Sequence, residues 1–164
     1  MSVIACKVSD DLITVASDSI IVSGNTKYTT NMQKLIEIDN MVVGGIGTCE
    51  ESFLFFEFLK INKPEKNTKL EMLELMASFA SWKKKITEKF EPENAYILVF
   101  DEKVYALERF FVKEIKDFWA IGAGQDYALT ALALGHSAIE AVEIACRFSC
   151  YCEGPVIVRT RRIQ

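Results

Sequence analysis

Turn signals divide this chain into a repeated order: short apolar runs, two amphipathic stretches, apolar runs again, two more amphipathic stretches, and one last run. Val3-Ile4-Ala5 leads through Ser9-Asp10-Asp11 to Leu12-Ile13-Thr14-Val15-Ala16, which predicts a strand hairpin. Ile20-Ile21-Val22 stops at the turn Ser23-Gly24-Asn25, and Lys34-Leu35-Ile36-Glu37-Ile38 alternates as a strand. Asp39-Asn40 then turns the chain into Met41-Val42-Val43-Gly44-Gly45-Ile46, the apolar run of a fully buried strand. Thr48 and Glu51 form a capping-box pattern ahead of a helix from Phe53 to Leu59. Beyond the breaker Asn62-Lys63-Pro64-Glu65-Lys66-Asn67, helical spacing links Leu70, Leu73, Met76, Phe79, Ile86 and Phe90. Lys83, Lys84 and Lys85 are expected on the wet side of that helix.

The second half repeats the plan. Strands are expected at Ala95 to Phe100, Val104 to Leu107, Phe110 to Val112 and Phe118 to Ile121. One helix follows over Asp126 to Leu134, closed by Gly135. Ser137 and Glu140 cap another that runs to Ser149, and Pro155 to Val158 forms the last strand. Two helical pairs, each flanked by antiparallel strands, predict an α+β fold: a four-layer αββα sandwich of two antiparallel sheets with helices outside. The 164 residues show no composition break and no short internal sequence repeat, so one domain over 1–164 is expected.

Composition narrows the chemistry. Half the residues are hydrophobic (50%) and 26% are charged, which excludes a disordered or low-complexity chain. No apolar run reaches the ~18–20 residues of a membrane span, and no secretory signal is visible, so a soluble cytoplasmic protein is expected. The formal net charge is −4; the basic tail Arg159-Thr160-Arg161-Arg162 is too small a positive face for nucleic acid. Cys6, Cys49, Cys146, Cys150 and Cys152 lack zinc spacing, so no metal is expected and buried apolar roles are. Gly122-Ala123-Gly124 lacks the third glycine of a dinucleotide loop, and Gly44-Gly45-Ile46-Gly47-Thr48 lacks the lysine of a phosphate loop. No nucleotide cofactor is expected. The one histidine, His136, falls in a helix–helix turn, which disfavours mechanisms built on imidazole.

That leaves the amino end. Ser2 follows a methionine of the kind routinely removed before a small residue, and removal places an α-amine beside a hydroxyl. With a pKa of ~8, such an amine serves as a general base near neutrality. Ser2, Ala16-Ser17-Asp18, Gly24-Asn25-Thr26 and Lys34 fall without a gap on the motifs of one family. Met41 to Thr48 and Ala120-Ile121-Gly122-Ala123-Gly124 with Tyr127-Ala128 fit its two glycine turns. Over nearly its whole length the chain resembles the proteasome β-subunit and HslV-like family of N-terminal nucleophile hydrolases.

The resemblance implies an αββα peptidase subunit. Ser2 would attack the scissile carbonyl, Lys34 paired with Asp18 would favour deprotonation of its oxygen, and the Gly47 N–H would donate to the oxyanion. It also implies a polypeptide substrate, a homo-oligomer of stacked rings and an ATPase unfoldase partner. The chain departs from the family pattern in three places. Serine replaces the usual threonine, Ala123 stands where the family has serine, and Cys150 and Glu153 fall near the family's aspartate and second serine, with Glu153 the candidate substitute carboxylate. These departures motivate an alternative, a non-catalytic structural ring subunit. Hydrolysis of a small amide and an unrelated α/β binding module are further alternatives.

Overall fold

The first hairpin sets the layering. In the computed structural model, which describes residues 2–28 and 33–163, β1 (Ile4–Val8) pairs antiparallel with β2 (Leu12–Ser17), setting Ala5 opposite Ala16 and Cys6 opposite Val15. Side chains alternate across a strand. Val3, Ala5 and Ala16 therefore pack on one face, and Ile4, Cys6, Ile13 and Val15 on the other.

The chain continues through β3 (Ile21–Ser23), β4 (Thr26–Tyr28), β5 (Leu35–Ile38) and β6 (Met41–Ile46), then α1 (Cys49–Ile61) and α2 (Lys69–Thr87). The second half holds β7 (Ala95–Phe100), β8 (Lys103–Glu108), β9 (Phe111–Ile115), β10 (Phe118–Ile121), α3 (Gln125–Ala133), α4 (Ala138–Phe148) and β11 (Ile157–Arg162). One sheet runs β10-β1-β2-β11 and the other β5-β6-β7-β8-β9, with β3-β4 as a separate ribbon; every described pairing is antiparallel.

Three apolar layers hold this stack. Between the sheets, Ile4, Cys6, Ile13 and Val15 meet Leu35, Val42, Ile97 and Val99. Outside the first sheet, Ala128, Ala131, Ala138, Ala141 and Ala145 of α3 and α4 pack on Ala5, Ala16 and Ala120, small residues that let helix backbones approach closely. Outside the second sheet the filling is large instead: Phe55, Phe58 and Phe79 pack with Tyr96 and Tyr105. The result is the expected αββα order.

Four local expectations differ. Lys83 is not on the wet side of α2. It is 2% exposed and paired with Glu51, whereas Leu70 and Ile86 are 64% and 55% exposed. The buried stripe is Met72, Leu75, Met76, Phe79, Ala80 and Lys83, and Lys83 completes its i, i+4 phase from Phe79. The Thr48 capping box is half formed. Thr48 Oγ1 accepts from Glu51 N–H at 3.3 Å, but the Glu51 carboxylate turns inward to Lys83. The last strand begins later than expected, since Pro155 has no N–H for a ladder. The basic tail therefore lies within β11, where Arg159 and Arg161 reach Glu37 of the other sheet at 3.4 and 3.3 Å.

Among the described residues, the Ser17 hydroxyl is buried with no hydrogen-bond partner. An orphaned buried hydroxyl costs ~1–3 kcal/mol by protein mutational data. Ser17→Ala is accordingly expected to stabilise the fold by about 1 kcal/mol, read as a higher urea midpoint with an unchanged slope. A lower midpoint would show that the hydroxyl is satisfied.

Candidate active site

Asp18 stands one residue beyond β2, and its backbone and side chain together extend the β1–β2 ladder. Its N–H donates to Val3 C=O at 3.2 Å, while its Oδ1 accepts from Val3 N–H at 3.1 Å. This reciprocal clamp fixes the residue that follows Ser2. The Ser2 C=O accepts from Gly124 N–H at 3.1 Å, tying the amino end to the turn between β10 and α3. Gly122 in that turn has φ +101°, and a Cβ there would overlap the Ser2 carbonyl; only glycine admits this approach.

Lys34 immediately precedes β5, in the sheet opposite Asp18, and is held by its neighbour β6, its C=O accepting from Gly45 N–H at 3.0 Å. Its Nζ donates to Asp18 Oδ1 at 2.9 Å, across the space between the sheets. The carboxylate is fully buried and the ammonium is 11% exposed. A third donor, Glu153 N–H, reaches Asp18 Oδ2 at 3.5 Å. Burial pushes the Asp18 carboxyl above its ordinary range; the Lys34 charge and hydrogen bond, then the N–H groups of Val3 and Glu153, pull against it without cancelling it.

Ser2, Lys34 and Gly47 line one pocket, together with Ile20, Ile21 and Val22 of the β3 approach and Cys49 at the start of α1. Ser2 itself is 4% exposed. Gly47 has φ +140° in the turn from β6 into α1, at the amino end of a helix, where the first-turn backbone N–H groups find no acceptor within the helix. Four residues from four different segments thus meet: a hydroxyl, an ammonium with its carboxylate, and a glycine turn. The expected removal of Met1 falls outside the described residues.

The remaining candidate residues do not line this pocket. Glu153 gives its carboxylate to Lys27 at 2.9 Å on an exposed edge, and Cys150 is exposed. Burial pushes the Cys6 thiol up to about 12, and burial together with the Asp18 charge does the same to Cys146. Both stay protonated near neutrality, and a thiol is a weak nucleophile. His136 lies on the surface, its ring 3.7 Å from Glu140 and its C=O accepting from Lys7. Among the described residues, no cluster of histidine, cysteine, aspartate or glutamate has the form of a metal site, and no helix is long and apolar enough to cross a membrane.

Sequence reading missed Asn94. It is 1% exposed, accepts from Thr48 N–H at 2.7 Å and donates to Thr48 C=O at 2.8 Å. It lies in Glu91-Pro92-Glu93-Asn94, which carries only loop character, so no local signal marked it.

No protein-family model and no curated protein matches the sequence. Solved structures do match over nearly the full length. BPH of Thiobacillus denitrificans in complex with epoxomicin superposes with a TM-score of 0.89 at 16% identity, covering 99% of each chain. Eukaryotic HslV from Trypanosoma brucei gives 0.78 at 18% identity, covering 98% of this chain and 99% of its own. Anbu (ancestral β-subunit) from Yersinia bercovieri gives 0.77 at 13% identity, covering 98% and 81%. At these identities the likeness is one of architecture: this chain has the αββα fold of the proteasome- and HslV-type N-terminal nucleophile hydrolases.

Proposed function

We propose that residues 1–164 form one proteasome-type peptidase domain that hydrolyses peptide bonds through the Ser2 hydroxyl once Met1 has been removed. The observation that carries this reading is the convergence of Ser2, Lys34 and Gly47 on one pocket, with Asp18 clamped between Val3 N–H and the Lys34 ammonium. The Ser2 α-amine takes the hydroxyl proton, directly or through a water. The Lys34 ammonium lowers the cost of the developing alkoxide, and Asp18 holds that ammonium in place. The Gly47 N–H donates to the carbonyl oxygen as it becomes an oxyanion. The similarity to BPH in complex with epoxomicin supports a peptide-shaped cleft. The similarity to HslV supports a homo-oligomeric ring and a polypeptide substrate; an ATPase unfoldase partner and a cytoplasmic setting are part of the proposal through the sequence resemblance alone.

The test is chemical. The purified protein is treated with a peptide epoxyketone, a reagent that consumes both a hydroxyl and its neighbouring α-amine, and the adduct is mapped by mass spectrometry. The expected result is loss of Met1 and one adduct on Ser2. Retained Met1 in protein from its native host, or an adduct elsewhere, overturns the reading.

A second reading keeps the fold and drops the chemistry: a structural ring subunit. The Glu153 carboxylate on Lys27, and Ala123 in place of serine in the Gly122–Gly124 turn, favour it, because both remove groups that would orient the amine. An inert amino end on a well-formed ring is its signature.

A further inference from the structure

We propose that Asn94 is a positioning residue for the oxyanion turn, holding Gly47 and Thr48 in the one backbone conformation that aims the Gly47 N–H into the pocket. This inference rests on the proposed function and names a part of that site no catalytic residue supplies. An oxyanion donor accelerates the reaction only if it is already aimed before charge develops. Gly47 sits at φ +140°, so without outside restraint its freedom works against a fixed aim.

Asn94 supplies that restraint. Its side-chain amide brackets the Thr48 peptide, Oδ1 accepting from Thr48 N–H at 2.7 Å and Nδ2 donating to Thr48 C=O at 2.8 Å. Nδ2 also donates to Ser52 Oγ at 3.0 Å, one turn into α1. A Cβ on residue 47 would overlap the Asn94 amide oxygen, so the two residues are in direct contact. Asn94 is in turn fixed: its own N–H donates to Glu51 Oε1 at 2.8 Å, and Glu51 is locked by Lys83 at 2.7 Å. Ion pair, asparagine and turn form one buried chain of hydrogen bonds from α2 to the pocket wall. A network with every member satisfied is the kind that rigidifies its surroundings.

Two variants in the full chain test this, with hydrolysis of a fluorogenic peptide and affinity for a peptide boronate as readouts. Asn94→Ala is expected to lower kcat by about 10²-fold, the loss typical of one oxyanion donor. KM stays within about twofold, and boronate affinity falls in parallel, because the boronate adduct carries the tetrahedral charge. Asn94→Asp keeps the acceptor for Thr48 N–H but donates to Thr48 C=O only when protonated. The charged groups facing that position are Glu51, Lys83 and Glu93, with the Tyr96 hydroxyl; the Glu51 carboxylate nearby raises the pKa of the introduced carboxyl. The ratio of variant to wild-type kcat is therefore expected to rise as pH falls.

A folded Asn94→Ala protein with kcat within about threefold of wild type overturns the inference, as does a loss confined to KM. If Asn94→Ala does not fold, Asn94→Asp decides: a pH-independent ratio near one overturns it. A wild-type protein inert to peptide and boronate sinks the proposed function, and this inference with it. An active wild type with an equally active Asn94→Ala sinks this inference alone.

Discussion

Lys34→Met is expected to lower kcat/KM for peptide hydrolysis by a factor of about 10³, within the range for a group acting on proton transfer, and Ser2→Ala is expected to abolish it. The methionine chain matches the lysine in length and apolar body, so the change removes charge with little change in volume. Two effects compound. The alkoxide loses the cation beside it, and Asp18 is left buried with only N–H donors. Its carboxyl is already pushed up by burial, and without the ammonium it rises further and takes a proton. Asp18→Asn should fall nearly as far, since the Lys34 Nζ then loses the carboxylate that holds it at 2.9 Å between the sheets. In the proposed mechanism the three groups act as a unit, so the double variant Ser2→Ala/Lys34→Met should be no worse than Ser2→Ala alone. In the wild type, kcat/KM should rise with pH through the α-amine near ~8, because that base works only when neutral. Below the raised Asp18 pKa a second, steeper loss should follow. A Lys34→Met protein retaining more than a tenth of wild-type kcat/KM would remove Lys34 from the mechanism.

The element order was legible because its punctuation is local. Ser9-Asp10-Asp11 and Asp39-Asn40 turn the chain where the residues say they should, and the Ser137–Glu140 capping box is fully formed at α4. The layering followed from counting which elements needed partners. What escaped is what depends on the third dimension. The Asp18–Lys34 pair joins segments from different sheets, and no spacing rule reaches it; only the resemblance brought the two together. Thr48 and Glu51 read as a closed cap, but Glu51 had a better partner one helix away. Lys83 reads as solvent-facing because it sits in a charge run with Lys84 and Lys85. A strict count of the stripe through Met72, Met76 and Phe79 would have placed it inside. Glu37 and the arginines of β11 are far apart in sequence and meet only because the two sheets stack.

The same stripe yields the largest expected stability effect. Lys83→Met is expected to destabilise the fold by about 3–5 kcal/mol at neutral pH, the penalty for leaving one member of a buried pair, and to lower Tm by on the order of 10 °C. Lys83 Nζ donates to Glu51 Oε2 and to Glu91 C=O, both at 2.7 Å. The carboxylate also accepts from Asn94 N–H at 2.8 Å, Glu93 N–H at 2.9 Å and Tyr96 O–H at 3.2 Å. Burial alone would raise the Glu51 pKa; the Lys83 hydrogen bond, then the N–H groups of Asn94 and Glu93, outweigh it and hold the carboxyl below its usual range. A group depressed in the folded state contributes stability above its unfolded pKa of ~4.3 and loses it as pH falls through the folded value. Removing Lys83 reverses the sign at this one site: the orphaned carboxyl is raised, so the variant regains stability on protonation while the wild type loses it. The Tm gap between the two proteins should therefore be widest near neutrality and narrow below about pH 4. Lys83→Met/Glu51→Gln should recover part of the loss at neutral pH, since an amide can still accept from the Asn94 and Glu93 N–H groups without a buried charge. A gap that stays constant with pH would mean that Lys83 contributes through its aliphatic packing in the stripe, and that the carboxylate at the base of the Gly47 turn does not depend on its ammonium.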